Sequence, residues 1–137
     1  GRGPGGMRVS VERSYRDVHD GHTVYVCSVG MPCVPDPWEV RRRYRDFVML
    51  HDKIKTAFER LKDPPHLPPR HIFGSGSDRV VHGRSIALSA YLCRAIEVIA
   101  PLGMTLDRGE GGTPYHHLAS FLQIPSRPPS EFKTLLS

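Results

Sequence analysis

Cysteines and long apolar runs are scarce in this sequence. Its 137 residues include three cysteines, Cys27, Cys33 and Cys93, and no two of them have the spacing of a metal-binding pair. An odd number of cysteines without such spacing favours free thiols in a reducing compartment, and hence a cytoplasmic protein. No uninterrupted apolar run approaches eighteen residues and no signal-peptide pattern is present, so we expect no membrane-spanning segment.

Sequence signatures of catalysis are also missing. The eight histidines show no metal-ligand pattern, because the pair His116 and His117 has no glutamate at a useful spacing. There is no nucleophile elbow and no phosphate-binding loop of the Gly-x-x-x-x-Gly-Lys kind. We therefore expect a chain that is not an enzyme and that needs neither a metal nor another cofactor.

The composition suits one basic globular domain. Hydrophobic residues make up 39% of the chain, charged residues make up 24%, and the net charge is +5. This charge favours an anionic partner such as a membrane face, a nucleic acid or an acidic protein. Most of the basic residues are arginines, whose planar fork suits phosphate. Apart from Tyr44, aromatic residues do not interleave with the basic ones, so no nucleic-acid partner is expected.

Three segments with alternating or β-branched residues predict strands, at residues 8–18, 22–29 and 38–43. The turn signal His19-Asp20-Gly21 separates the first two segments, which should pair as a hairpin. Because side chains alternate along a strand, Val40 should lie on one face of the third strand and Arg41 and Arg43 on the other.

Apolar spacing predicts two long helices, over residues 45–61 and 78–100. Pro101 and Gly103 should end the second helix, and the proline-rich segment Pro64–Pro69 must lie outside both. Thr113 should cap a short third helix that begins with Pro114. Strands followed by helices predict an α+β fold: a three-stranded antiparallel sheet packed against a helical subdomain, with a proline-rich loop between the two long helices.

Arg43 and Tyr44 stand where the third strand gives way to the first helix, inside the dense basic run that begins at Arg41. An arginine beside an aromatic ring can bind a sugar phosphate, since the guanidinium holds the oxyanion and the ring packs on the sugar. The alternative is a solvated basic edge that discourages pairing with another strand.

Arg84 lies on the apolar stripe of the second predicted helix, in line with Leu88 and Tyr91. An arginine that faces the body of a domain needs an acidic partner or an anionic ligand, because burying it unpaired is costly. An internal salt bridge to Asp46 or Glu39 is the structural alternative to a ligand.

The segment Pro64–Pro69 should hold an extended conformation and present Arg70 at its end. Ile72 and Phe73 follow in a glycine-flanked loop, where apolar side chains beside cations suit insertion into a membrane. Alternatively, these two side chains pack into the core. The proline pattern could also be a ligand for a protein partner of the Src-homology type.

Together these features resemble the PX (phox-homology) domain family. Arg42-Arg43-Tyr44-Arg45-Asp46-Phe47 is similar to the family's arginine–aromatic–x–x–phenylalanine motif. Pro64 to Arg70 resembles its large aliphatic–Pro–x–x–Pro–x–Lys segment, with Pro64 and Arg70 as departures. Arg84 resembles the arginine of its later helix. The resemblance covers roughly residues 8–124.

The resemblance implies a non-catalytic module that binds phosphatidylinositol 3-phosphate and targets a larger protein to endosomal-type membranes, as in sorting nexins. By motif position, Arg43 would bind the 3-phosphate and Tyr44 would pack under the inositol ring. Arg70 would bind the 1-phosphate and Arg84 the 4- and 5-hydroxyls. The alternative is a PX-like protein-interaction module with weak or no lipid binding.

The composition of the two chain ends indicates the expected domain boundaries. Residues 1–6 are expected to be the remnant of an expression tag, residues 7–125 the PX-like domain, and residues 126–137 a C-terminal extension or linker. The ligand assignment requires the side chains of Arg43 and Arg84 to meet at one site, and it fails if they lie far apart or are already neutralised by carboxylates.

Overall fold

The structure is a computed structural model that describes residues 6–32, 34–69, 78–106 and 113–125. Its strands are β1 (Arg8–Arg16), β2 (Thr23–Gly30) and β3 (Trp38–Arg43). Its helices are α1 (Tyr44–Ile54), followed by a 3-10 turn (Lys55–Phe58), α2 (Asp78–Leu106) and α3 (Pro114–Leu122). The predicted α+β fold is confirmed.

The three strands form one antiparallel sheet in the order β1-β2-β3. The predicted hairpin joins β1 to β2, and its tight turn contains Gly21 with φ of +76°. In β3, Val40 is buried at 1% exposure, whereas its neighbours Glu39 and Arg41 are exposed. The alternation predicted for β3 is therefore confirmed, and Arg43 lies on the same face as Arg41.

The core lies between the sheet and the helices. The apolar stripe of α2 is buried, and its central residues are Leu88, Tyr91, Leu92, Ala95, Ile96 and Ile99. Val81–Leu102 is long and apolar enough to cross a membrane by length and hydropathy, but this stripe packs against the sheet and the other helices. We therefore interpret α2 as the core helix of the domain.

The end predicted for α2 is wrong, because the helix continues through Pro101 to Leu106. Proline removes the hydrogen bond that its own N–H would donate to the carbonyl four residues earlier, which belongs to Glu97. Glu97 and Pro101 both lie on the exposed face, so solvent can take over that carbonyl. The prediction for α3 is confirmed: Thr113 caps it through Oγ1, which accepts from the backbone N–H of His116 at 3.1 Å.

The C-terminal end of α3 is tied to β3. The indole Nε1 of Trp38 donates to the carbonyl of Leu122 at 2.8 Å, and the guanidinium of Arg42 donates to the carbonyl of Phe121 at 2.8 and 3.1 Å. Arg42 also lies over the Phe121 ring, 5.1 Å from its centroid. These contacts satisfy carbonyls that a helix end leaves without partners. The sequence reasoning did not foresee this structural role of Arg42.

Candidate phosphate-binding site

The site is built where β3 runs directly into α1. Arg43 is the last residue of the strand and Tyr44 the first residue of the helix, as predicted. The carboxylate of Asp46 accepts from the backbone N–H of Arg43 at 2.8 Å, which fixes the junction and supplies a negative charge to the first turn of α1. The direction of each side chain at the junction is thus set by a short, hydrogen-bonded segment.

Tyr44 connects α1 to both the proline segment and α2. Its hydroxyl donates to the carbonyl of Pro68, and the guanidinium carbon of Arg84 lies 4.7 Å from the centroid of its ring. Arg84 also donates from Nη2 to the carbonyl of Pro69 at 3.4 Å. The structure therefore brings Tyr44, Arg84 and the end of the proline segment together, with Arg43 next to Tyr44 in the chain.

The two carboxylates considered as internal partners of Arg84 have other partners. Glu39 is held by the guanidinium of Arg13 at 2.7 and 3.2 Å, and Asp46 binds the backbone of Arg43. Arg84 instead faces the aromatic ring of Tyr44 and lies near the fully buried Tyr25. Burial raises the pKa of the Tyr25 hydroxyl, and the positive charge of Arg84 opposes that rise.

Arg43 has a carboxylate close by that the sequence reasoning missed. Its Nη1 lies 3.7 Å from Oδ2 of Asp20 in the turn between β1 and β2. The side chains are 29% and 47% exposed respectively, so the pair is loose and partly solvated. Pairing of Val24 with Arg43 across β2 and β3 places this turn beside Arg43, and that register is the signal that could have revealed Asp20.

The proline segment packs against the domain. Pro65 and Pro68 are buried, whereas His66 and Pro69 are exposed. Burial of the two prolines of a Pro-x-x-Pro pattern disfavours their use as a ligand for a protein partner, since such ligands present both prolines. Arg70, Ile72 and Phe73 lie outside the described residues.

In the described ranges, no group of three histidine, cysteine, aspartate or glutamate side chains could hold a metal ion. Cys27 and Cys93 are free thiols, the first buried and the second exposed. Burial raises the pKa of Cys27 to about 12, so this thiol stays protonated at neutral pH.

Fold and site together define a small α+β domain that presents an arginine–tyrosine cluster at a strand–helix junction. Residues 34–100 match the model of the PX domain family. The chain contains a PX domain, as the sequence motifs indicated.

A solved structure and a probable kinase are similar to this chain. A designed CISK-PX domain of known X-ray structure has the same fold, with a TM-score of 0.63 at 24% identity over 85% of this chain and 98% of that chain. A Dictyostelium discoideum protein, a probable serine/threonine-protein kinase, is 37% identical over 71 residues. That match covers 51% of this chain but 3% of the kinase, so the chain spans a small part of this relative.

PX domains are generally phosphoinositide-binding modules that target proteins to membranes, and they are non-catalytic. The domain described here is accordingly a peripheral membrane-binding module and not an enzyme.

Proposed function

We propose that this domain binds phosphatidylinositol 3-phosphate and thereby recruits the protein that carries it to endosomal-type membranes. The observation that carries the proposal is the contact between Tyr44 and Arg84. Arg43 directly precedes Tyr44 in the chain. The contact brings together a ring that can pack on inositol and a guanidinium group that can bind its oxygens, and Arg43 supplies a second guanidinium from the residue before the ring.

In this proposal the roles follow the family motif. Arg43 binds the 3-phosphate, and Tyr44 packs against the inositol ring while the carbonyl of Pro68 holds its hydroxyl. Arg84 hydrogen-bonds the 4- and 5-hydroxyls. Arg70 binds the 1-phosphate, for which its position directly after the packed proline segment is the support.

The central test is vesicle binding of the wild type and of Arg43→Ala, measured across all singly and doubly phosphorylated phosphoinositides. A hydrogen-bonded arginine–phosphate contact is worth about 1.5–3 kcal/mol, so the variant should bind phosphatidylinositol 3-phosphate about 10- to 100-fold more weakly. Unchanged binding would remove Arg43 from the site. Absence of phosphoinositide binding by the wild type would instead favour the protein-interaction module.

Arg41→Ala is the matched control. Arg41 lies on the same face of β3 as Arg43, two residues away, and has a carboxylate at the same 3.7 Å distance, that of Glu39. Both variants lose one positive charge, so non-specific attraction to an anionic membrane falls equally. A loss confined to Arg43→Ala is therefore specific to the site.

Ile72 and Phe73 complete the proposal as the residues that insert between lipid head groups. Phe73→Ser should then weaken binding to vesicles but leave binding of the soluble head group intact. Equal loss in the two assays would assign Phe73 to the core.

A further inference from the structure

The turn between β1 and β2 is held rigid by its own hydrogen bonds. The carboxylate of Asp17 accepts from the backbone N–H of His19 at 2.7 Å, and the backbone of Asp17 bonds to His22 and Gly21 at 2.8 Å each. Gly21 supplies the positive φ that the turn requires. Asp20 therefore has a fixed backbone position at the tip of the hairpin.

The two oxygens of the Asp20 carboxylate have different partners. Oδ1 accepts from the backbone N–H of His22 at 2.9 Å, and Oδ2 faces Nη1 of Arg43 at 3.7 Å. The hydrogen bond from His22, with smaller contributions from the charges of His22 and Arg43, holds the pKa of Asp20 below its ordinary value. Asp20 is consequently an anion at neutral pH, and it occupies the neighbourhood of the guanidinium assigned to the phosphate.

We propose that Asp20 is a built-in competitor of the ligand phosphate for Arg43 and thereby lowers the affinity of the site. This inference rests on the proposed function. A phosphate can form two parallel, charge-assisted hydrogen bonds with a guanidinium, whereas Asp20 makes a loose and half-exposed ion pair with it. The phosphate can therefore displace the carboxylate, but at a cost that weakens its net binding.

Asp20→Asn tests this inference, because asparagine keeps an oxygen for the N–H of His22 and loses only the charge. Exposed ion pairs contribute up to about 1 kcal/mol, so the variant should bind phosphatidylinositol 3-phosphate vesicles about two- to fivefold more tightly. Placed in an Arg43→Ala background, the same change should lose this advantage.

Glu39→Gln provides the matched control. Glu39 is also a half-exposed carboxylate paired with arginine, and it lies on the face of β3 that carries Arg43. It lies four positions before Arg43 in the strand, a distance of about 13 Å. Both variants raise the net charge by one. An increase in vesicle affinity that both variants show therefore reflects non-specific attraction to the membrane. An equal gain in Asp20→Asn and Glu39→Gln overturns the inference.

Titration with inorganic phosphate, followed by NMR in the wild type and in Asp20→Asn, separates this inference from the proposed function. Tighter phosphate binding by Asp20→Asn without any binding to phosphatidylinositol 3-phosphate vesicles supports the competitor and refutes the lipid assignment. Lipid binding with equal phosphate affinity in the two proteins refutes the competitor alone. Equal phosphate affinity without lipid binding refutes both.

Discussion

Replacing Arg84 with methionine should destabilise the domain chiefly through the loss of its contact with Tyr44. Methionine keeps an unbranched stem but removes the guanidinium. A cation–π contact at a partly exposed site is worth about 0.5–1 kcal/mol, and the 4.7 Å distance between the guanidinium and the ring is well within the effective range. The 3.4 Å hydrogen bond to Pro69 is long, so it adds about 0.5 kcal/mol. These two contacts together contribute about 1–1.5 kcal/mol.

A double-mutant cycle isolates the contact between Arg84 and the tyrosine ring. In a Tyr44→Leu background the ring is absent, so Arg84→Met should cost about 0.5–1 kcal/mol less than it does in the wild-type background. The coupling free energy between Tyr44 and Arg84 should thus be about 0.5–1 kcal/mol. An equal cost of Arg84→Met in both backgrounds would refute the argument from ring contact.

Urea unfolding can be followed with the fluorescence of Trp38, the single tryptophan of the chain. Its indole bonds the end of α3 and so reports on packing of the sheet against the helices. For a chain of this size, each kcal/mol lost from the free energy of unfolding lowers Tm by about 4 °C. Arg94→Met is the control, since Arg94 lies on the same helix and pairs with Glu97 at 3.2 Å on the surface. It should change stability by less than about 0.5 kcal/mol.

Two further predictions concern a helix cap and a histidine. Thr113→Ala should destabilise the domain by about 1 kcal/mol in the same unfolding assay, whereas Thr113→Ser keeps the capping oxygen and should change little. Burial lowers the pKa of His51 below the value of about 6.5 that it has in an unfolded chain. The unfolded state then binds the proton more readily, so the free energy of unfolding should fall as the pH drops below about 6.5. His51→Gln should reduce this dependence between pH 7 and 5.

The sequence contained enough information to locate the strand–helix junction. Side chains alternate between two faces along β3, and apolar residues recur at helical spacing after it. The period changes at Arg43 and Tyr44, where the structure has the boundary. The same reasoning placed Arg84 at the end of a stripe that includes Leu88 and Tyr91, both of which are buried. These features follow from local periodicity, because a strand or helix with one buried face needs apolar residues at its own period.

Features that depend on distant backbone groups could not be predicted in this way. Arg42 belongs to the same basic run as its neighbours, yet it binds the carbonyl of Phe121, 79 positions later in the chain. Alternation puts Arg42 on the face of β3 that carries Val40, but it does not identify the distant carbonyl that the guanidinium binds. Pro101 predicts a helix end, because the sequence does not show that solvent can reach the carbonyl that the proline leaves without a hydrogen bond.

The ion pair between Arg43 and Asp20 shows how this limit affects a functional assignment. The position of Arg43 in the family motif assigns a phosphate to it but does not identify the carboxylate that pairs with its guanidinium. That counter-ion depends on the register between β2 and β3 and on the conformation of the turn. Two domains with the same binding motif can therefore differ in affinity through a hairpin residue outside the motif. In the proposed site, the effective charge at Arg43 is set by this ion pair, so a ranking of ligand affinity from the motif alone omits one of its determinants.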